Sequence, residues 1–422
     1  MISAPFGTGA PRTSWIDRAW AGYWSVLSIS PIDHPGFEQL RAELLEFMAA
    51  DPTNPLNCRL SVDGRRWIAV DEADRSAHLD RVVVETEPID ATEPYRQIHD
   101  HAPDPDERAP YKVLVGPDSL TLYVSHSLGD AVVVSSFAVL LALGDVHGLR
   151  YLRPNIGTGV AVRLLGAEVK AHYKQWWRHF RNPPPRTSGG MSVPVPARTT
   201  TDAVHHRVSP ATIQRFQDWR KETCPGVSTS ALVATAAYRA LTRSGVGLNP
   251  AGFHTLIDLR RYLPAKQVHR PGNLVKSLYI PASMDDPTAI AAGIRDAVEA
   301  VRAVPALAIG AVGAALRSPG SRPAPSRIDC PTMTFNFMMR NPGVGHIPWK
   351  DISATRYVTM SYPCSPDNLA VFACGVADGI DFSASFAPEV VDRSAVQRAL
   401  LDLDDMPALL SSEWVGLASP AG

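Results

Sequence analysis

The sequence predicts an α+β protein built from two similar lobes. Apolar residues at helical spacing and alternating strand patterns occur together in both halves of the 422-residue chain. Between the halves, residues 181–201 contain a run of prolines followed by Gly-Gly, which is typical of a linker. We therefore expect a first lobe over residues 1–180, a linker over 181–201 and a second lobe over 202–422.

Composition excludes several classes of function. The formal net charge is −1 and charged residues make up 20% of the chain, so no overall field favours nucleic acid or an anionic membrane. The five cysteines form no CxxC pair, which favours reduced thiols and indicates no metal site. The longest apolar runs, 131–143 and 305–316, are shorter than the roughly 20 residues that span a bilayer. Without a secretory signal pattern near Met1, we expect a cytoplasmic, monomeric protein.

In the first half, local patterns define helices and hairpins. Leu40, Leu44 and Phe47 recur at helical spacing, and the dipeptide Asp63-Gly64 supplies the positive φ angles of a tight hairpin turn. A run of apolar residues after Gly129 predicts a buried helix. The predicted elements are, in order, a helix over 36–50, a hairpin over 57–62 and 65–70, a strand over 81–85, a loop over 87–110, a hairpin over 111–115 and 119–125, and a helix over 131–143.

The second half repeats this mixture of helices and antiparallel strands. Ser209-Pro210 is an N-cap and N1 pair, and Ser228 is a second N-cap. The predicted elements are strands over 205–208, 252–259, 274–280, 332–338, 352–358, 369–375 and 380–386, a helix that begins at Pro210 and carries Ile213, Phe216 and Trp219, and helices over 228–243, 287–304, 305–317 and 395–406.

A basic amphipathic segment over 163–181 has several interpretations. Its tryptophans and lysines suit a helix packed along its own fold, a helix on a membrane surface or partner, or a cover over a substrate entrance. Its aromatic residues also suggest a hydrophobic acceptor.

The sequence His126-Ser-Leu-Gly-Asp130 is the candidate catalytic motif. Leu120, Leu122 and Val124 alternate with polar residues, so His126 lies where a strand ends. Histidine is the side chain best suited to move a proton near neutral pH, and a strand end presents it rigidly. An HxxxD pair alone is weak evidence, because a histidine satisfied by its neighbours has the same appearance. Gly129 favours a tight turn rather than a continuous helix across the motif.

This motif resembles the HHxxxDG signature of the CoA-dependent acyltransferase superfamily. That superfamily includes chloramphenicol acetyltransferase, nonribosomal peptide condensation domains, wax ester synthases and polyketide-associated acyltransferases. His126 and Asp130 match its second histidine and its aspartate, whereas Ser125 and Ala131 replace the first histidine and the glycine. These two departures leave open whether the chain is catalytic.

Further segments extend the resemblance over most of the chain. The early helix is followed by residues 54–59 and the Asp63-Gly64 hairpin. Downstream, Asp258-Leu259-Arg260 and Gly272-Asn273 resemble the family's DLR and GN segments, and Asn336 lies on a strand like an active-site strand of relatives. The resemblance implies two chloramphenicol acetyltransferase-like lobes of mixed, largely antiparallel sheets with helices, forming a V-shaped pseudo-dimer with a central tunnel.

The resemblance also implies roles for individual residues. His126 would be the general base, while Asp130 would point away from the substrate and pair with Arg260, and Gly129 would shape their turn. Asn336 is a candidate oxyanion donor, with Ser125 or a backbone NH near Gly129 as rivals. Asn336 is equally explained as a residue that satisfies a strand edge.

The implied function is acyl transfer from acyl-CoA or an acyl carrier protein to a hydroxyl or amine, in natural-product or lipid biosynthesis. The acceptor would be a small molecule or carrier-bound, and the acyl-CoA or phosphopantetheine thioester would be a co-substrate, with no tightly bound cofactor. Two alternatives stay open. One is a non-catalytic condensation-like module that docks a carrier protein, and the other is a relative that catalyses cyclisation, epimerisation or dehydration of a carrier-bound intermediate.

Overall fold

A computed structural model describes most of the chain, including both halves of the predicted fold. The described residues are 12–20, 22–88, 98–103, 108–153, 166, 170–174, 177, 193–194, 200–263, 271–316, 327–328, 330–339, 343–362 and 364–411. Among them, no helix is both long enough and apolar enough to cross a membrane. Most of the predicted linker and of the amphipathic segment 163–181 lies outside these residues, so both stay predictions.

The strands form two main sheets and two short two-stranded sheets. In chain order the strands are β1 Trp24–Ser30, β2 Cys58–Leu60, β3 Trp67–Ala69, β4 Val83–Glu85, β5 Tyr111–Val115, β6 Leu120–Ser125, β7 Val193–Pro194, β8 Asp202–Val208, β9 Gly252–Asp258, β10 Val275–Pro281, β11 Arg327–Ile328, β12 Thr332–Met338, β13 Arg356–Tyr362, β14 Asn368–Val376 and β15 Gly379–Phe386.

Helices pack on these sheets. They are α1 Trp15–Ala19, α2 Phe37–Ala50, α3 Arg75–Val82, α4 Ala131–Ala142, α5 Pro210–Thr223, α6 Thr229–Arg243, α7 Pro287–Glu299, α8 Ala303–Leu316, α9 Arg393–Asp402 and α10 Met406–Ser411. The predicted caps form, since the Ser209 hydroxyl accepts from the Thr212 NH at 3.2 Å and the Ser228 hydroxyl accepts from the Ala231 NH at 3.3 Å. Each bond satisfies an NH that the first helical turn leaves unpaired.

The first sheet has the order β13-β1-β6-β5-β4, and the second has the order β10-β9-β12-β14-β15-β8. Most neighbouring pairs are antiparallel, but β12 runs parallel to β14 and β9, and β4 runs parallel to β5. The predicted α+β class with mixed, largely antiparallel sheets is therefore confirmed.

Strand β13 connects the two halves of the chain. It follows β12 in sequence, yet it pairs with β1 at the edge of the first sheet. Val26, Tyr123, Val358 and Met360 form a small apolar cluster with Ala203 of the second sheet. The first sheet thus includes one strand from the second half of the chain, and this strand also packs against the second sheet.

Several predicted elements differ from the observed ones. The segment from Arg81 begins inside helix α3, and only Val83–Glu85 is a strand. The strand predicted over 352–358 begins at Arg356, because residues 352–354 form a short 3-10 helix. Strand β1 was not predicted, and it is the strand that lies beside the candidate motif.

Candidate functional site

The candidate motif forms the turn between strand β6 and helix α4. Asp130 is the N-cap of α4, and its carboxylate accepts a hydrogen bond from the Val132 NH at 3.2 Å. Gly129 lies against this helix, since a Cβ added there would collide with the side chain of Val133. The turn is therefore compact enough to require glycine at position 129 and an N-capping side chain at position 130.

His126 is held from both sides of the strand end. Its backbone NH donates to the Tyr23 carbonyl at 2.9 Å, and its carbonyl accepts from the Asn273 side-chain amide. The ring stacks on Trp20, with centroids 5.1 Å apart and an interplanar angle of 29°. Nε2 lies 2.9 Å from the Ser25 hydroxyl oxygen. Backbone and ring contacts together restrict the imidazole to one orientation.

The environment of His126 favours the neutral ring. Burial lowers the pKa of His126 below its usual range, and this effect outweighs the Asp130 charge and the contacts of Asn273 and Gly129, which raise the pKa. A neutral imidazole has a free lone pair and can accept a proton. The side chain itself is half-buried, so its ring is not sealed from the surface.

This lowered pKa predicts the pH dependence of a reaction in which His126 is the base. The rate should be constant around neutral pH and should fall as pH decreases through a value below about 6.5, where the ring becomes protonated. The measurement is kcat/KM for acyl transfer between about pH 5 and about pH 8, with circular dichroism at each pH to exclude unfolding. An acid limb with its midpoint above neutral pH would contradict the prediction.

Asp130 does not face His126 as a catalytic partner but pairs with Arg260. The guanidinium donates from Nη1 to Oδ2 at 2.7 Å and from Nη2 to Oδ1 at 3.1 Å. Both residues are buried, with 2% of Asp130 and 7% of Arg260 exposed. Two parallel hydrogen bonds in a dry setting are the strongest geometry for such a pair. The structure thus brings together Asp130 and Arg260, which the resemblance pairs. Their proposed role in supporting the turn at His126 rests on this contact.

A segment from the second half of the chain, residues 272–274, is hydrogen-bonded to the same turn. Arg260 also donates to the Gly272 carbonyl at 3.2 Å, and the Leu274 NH donates to Asp130 Oδ2 at 2.9 Å. Between them, Asn273 donates to the His126 carbonyl. The backbone position of His126 is therefore fixed by contacts from the second half of the chain as well as by the first sheet.

Asn273 also binds Asp17, a buried carboxylic acid on α1. The Asn273 amide donates to Oδ1 at 2.9 Å, and the Ser14 hydroxyl donates to Oδ2 at 2.6 Å. Burial raises the pKa of Asp17 to about 6, with a smaller contribution from the Asp130 charge, although both hydrogen bonds lower it. The ionised form of Asp17 is consequently destabilised in the folded protein.

We expect Asp17→Asn to stabilise the protein in a pH-dependent manner. Asp17 has a higher pKa in the folded protein than in the unfolded chain. The free energy of unfolding of the wild type should therefore decrease as pH rises from about 4 to about 6, and above that range the total loss is about 3 kcal/mol. The substituted amide carries no charge, so the variant should gain this amount near neutral pH and little near pH 4. Urea unfolding of both proteins across this range tests it. An equal difference at every pH would show that ionisation of Asp17 is not involved.

Both side chains proposed as oxyanion donors accept a hydrogen bond through their oxygen atom, which does not use their own O–H or N–H group. The Ser125 hydroxyl accepts from the Ser127 NH at 3.2 Å within the turn. The Asn336 carbonyl oxygen accepts from the Leu256 NH at 2.9 Å and joins β12 to β9. The Asn336 Nδ2 is buried and has no hydrogen-bond partner among the described residues. The interpretation of Asn336 as a residue that satisfies a strand edge therefore accounts for its Oδ1 but not for its Nδ2. The role of Asn336 as an oxyanion donor stays a prediction.

Several residues near His126 were missed from sequence. Ser25 and Trp20 contact the ring directly, and Lys276 lies 5.8 Å from the Trp20 ring centroid. Strand β1 has the sequence Trp-Ser-Val-Leu-Ser-Ile-Ser, whose apolar and hydroxyl residues favour a strand. That pattern could have revealed the strand, but not its position beside His126.

Solved structures of other proteins share this fold, although their sequences are very different. No protein-family model matches the sequence, and no curated protein matches it. Among solved structures, trichothecene 15-O-acetyltransferase from Fusarium sporotrichioides is 12% identical with a TM-score of 0.61, over 93% of this chain and 92% of that chain. The first condensation domain of the calcium-dependent antibiotic synthetase is 15% identical with a TM-score of 0.56, over 96% and 98%.

An epimerization domain has the same fold. The domain from the third module of tyrocidine synthetase B is 11% identical with a TM-score of 0.54, over 97% of this chain and 99% of that chain. The chain therefore has the two-lobed fold shared by this acetyltransferase, the condensation domain and the epimerization domain. These neighbours include an acetyltransferase and domains of peptide synthetases, so the fold does not by itself define one reaction.

Proposed function

We propose that this protein is an acyltransferase that moves an acyl group from a thioester donor to a hydroxyl or amine acceptor. The observation that carries the proposal is the neutral, half-buried imidazole of His126, which is fixed at a strand end with a hydroxyl oxygen 2.9 Å from Nε2. That contact demonstrates that a hydroxyl group fits against the ring. An acceptor in an equivalent position could transfer its proton to Nε2.

In the proposed reaction His126 acts on both sides of the transfer. It accepts the proton of the nucleophile as the thioester carbonyl is attacked, and it returns the proton to the departing thiolate. Asp130 and Arg260 do not take part in proton transfer but hold the turn that directs the ring. The oxyanion of the tetrahedral intermediate needs a donor, and Asn336 Nδ2 is the candidate we retain.

The donor would be acyl-CoA or an acyl carrier protein, used as a co-substrate in the cytoplasm. Among the fold neighbours, an acetyltransferase supports a small-molecule acceptor and a condensation domain supports a carrier-bound one. No resident cofactor is needed for this chemistry. The place of the reaction in natural-product or lipid biosynthesis is part of the same proposal.

The deciding experiment is a donor panel. The purified protein would be incubated with acyl-CoA thioesters and with loaded acyl carrier protein, together with alcohol and amine acceptors, and products would be identified by mass spectrometry. Acylated acceptor and free thiol in equal amounts are expected with at least one donor. A panel that yields no acyl product, although the protein is folded, would refute the proposal for those substrates.

A second candidate function is a recruitment module without turnover. One fold neighbour is an X-domain solved in complex with OxyB from teicoplanin biosynthesis, at 15% identity and a TM-score of 0.53 over 96% of this chain and 95% of that chain. The replacement of the family's motif residues by Ser125 and Ala131 favours this alternative. Tight binding of a carrier protein with no product from any donor would support it. A rearranged carrier-bound intermediate formed without acceptor would instead support cyclisation, epimerisation or dehydration.

A further inference from the structure

Helix α1, the first helix along the sequence, belongs to the core of the second sheet. Its Ile16 is 4% exposed within that core, and α1 packs against α8. The residues that follow α1 reach His126, since Trp20 stacks on its ring and the Tyr23 carbonyl accepts from its NH at 2.9 Å. Helix α1 therefore occupies a fixed position against the second half of the chain and lies beside the candidate base.

The carboxyl group of Asp17 joins α1 to the segment 272–274. Asp17 is 6% exposed, and its Oδ1 accepts from Asn273 Nδ2 at 2.9 Å. Its Oδ2 accepts from the hydroxyl of Ser14, the N-cap residue of α1, at 2.6 Å. One carboxyl oxygen thus binds the start of its own helix, and the other is directed to Asn273.

The Asn273 amide uses one nitrogen for two partners. Nδ2 donates to Asp17 Oδ1 and to the His126 carbonyl, which gives one acceptor to each of its two N–H groups. Asn273 is 2% exposed, and its Oδ1 is buried without a hydrogen-bond partner among the described residues. Buried amides usually satisfy their oxygen as well, so the two acceptors determine the orientation of this amide. With one acceptor fewer, the amide could tilt about its remaining bond.

We propose that Asp17 is a positioning residue for acyl transfer, which fixes the Asn273 amide and through it the strand end that carries His126. This inference rests on the proposed function, because the residue being positioned is the proposed base. The role needs an acceptor oxygen at Oδ1 but no charge, since a neutral acid or an amide also accepts through its carbonyl oxygen. A displacement of a catalytic group by about 1 Å can cost about 100-fold in rate, so a hydrogen bond one residue removed from the base can matter.

Two substitutions of Asp17 separate the acceptor from the charge. Asp17→Leu has a similar size but no acceptor, and it removes a buried acid whose ionised form the fold disfavours, so the variant should remain folded. We expect its kcat to fall about 10-fold with little change in KM, because the loss concerns the geometry of the transition state. Asp17→Asn keeps an oxygen for Asn273 and should recover most of the kcat that Asp17→Leu loses. Urea unfolding of both variants shows whether kcat follows stability, as a purely structural role requires.

Ser14→Ala is the matched control within the same helix. It breaks the other hydrogen bond of Asp17 and removes the N-cap, but it does not touch Asn273. The urea midpoint should decrease, as expected for a lost cap, while kcat stays at the wild-type value. Asn273→Ala should lower kcat as Asp17→Leu does, and combining the two should cause no further loss, because Asp17 acts through the amide. Additive losses would overturn the inference.

Nuclear magnetic resonance of the imidazole rings tests the positioning without any substrate. Long-range ¹H–¹⁵N spectra should show one sharp set of His126 ring signals in the wild type and Asp17→Asn, and shifted or broadened signals in Asp17→Leu. The exposed His346 should give the same signals in all three proteins. Wild-type kcat and unchanged His126 signals in Asp17→Leu would overturn the inference and leave the proposed function intact.

Failure of the proposed function has a different signature. If no donor yields an acyl product, the proposed function is refuted, and the ring signals alone decide whether Asp17 positions His126. Unchanged His126 signals in Asp17→Leu would then overturn the inference as well. Altered signals that return to the wild-type positions in Asp17→Asn would support it.

Discussion

Replacement of His126 by alanine should reduce acyl transfer by about 10²- to 10⁴-fold, the usual contribution of a positioned general base. The loss corresponds to about 3 to 5 kcal/mol of transition-state stabilisation. It should appear in kcat with little change in KM, because the ring is expected to act on the reacting atoms and not on the distant parts of the substrates. The reason lies in the geometry, since Nε2 is the ring nitrogen that meets a hydroxyl group at the end of β6.

The effect on chemistry must be separated from an effect on folding. His126→Ala also removes the stacking of the ring on Trp20, and such aromatic pairs contribute about 0.5 to 1.5 kcal/mol of stability. Circular dichroism and urea unfolding would measure that cost. The exposed His346 provides a matched control, and His346→Ala should retain full activity and stability.

Free imidazole offers a sharper test of the role. If the missing group only moves a proton, imidazole added to His126→Ala should restore part of the activity, and the restored rate should increase with pH as imidazole becomes neutral. A folded variant that transfers acyl groups at the wild-type rate would contradict the role of His126 as base. Activity that is lost but not restored by imidazole, together with lost stability, would indicate a structural role instead.

Much of the fold could be predicted because its signals are local. Asp63-Gly64 determines the turn between β2 and β3, and the predicted strands 111–115 and 119–125 correspond closely to β5 and β6. Helix α4 has its apolar run and its N-cap Asp130 within a few residues of each other. Each of these patterns is produced by interactions between residues that are near in sequence.

The features that could not be predicted depend on pairings between distant residues. Ser25 and His126 are 101 positions apart, and they meet only through the register of β1 against β6. A shift of one residue in that register would direct Ser25 to the opposite face. Strand β13 joins the first sheet from the second half of the chain, which no local pattern indicates. The Asp130–Arg260 pairing was inferred only because the resemblance suggested it.

Breaking the pair between Asp130 and Arg260 should have the largest effect on stability. Arg260→Ala would leave the Asp130 carboxylate buried without its guanidinium, and loss of one partner of a buried ion pair costs about 3 to 5 kcal/mol. The remaining donors to Asp130, the NH groups of Val132 and Leu274, are neutral and cannot replace the charge. Urea unfolding of the variant and the wild type at neutral pH measures the difference.

An exposed arginine–aspartate pair provides the control. Arg41 donates to Asp80 at 2.8 Å, but 57% of the Asp80 side chain is exposed. Arg41→Ala should therefore cost about 1 kcal/mol or less, as is usual for surface ion pairs. Similar losses of stability in Arg41→Ala and Arg260→Ala would contradict the importance of burial for the Asp130–Arg260 pair.

A double-mutant cycle distinguishes the charge from the packing. Asp130→Asn should be destabilising because it leaves Arg260 charged and buried, whereas Asp130→Asn combined with Arg260→Met removes both charges and keeps an apolar stem. The double variant should be more stable than the sum of the single losses predicts, with a coupling free energy of about 2 kcal/mol. Additive losses would mean that the two residues act independently.

The kcat values of these variants test whether the Asp130–Arg260 pair positions His126. Asp130 and Arg260 are bound to the segment 272–274, and Asn273 of that segment holds the His126 carbonyl. If the pair serves to hold the turn, the double variant should regain a larger share of the lost stability than of the lost kcat, both compared with the wild type. The reason is that the substituted methionine cannot donate to the Gly272 carbonyl and so cannot restore the position of Asn273. Recovery of both to the same extent would show that the pair supports the fold without directing His126.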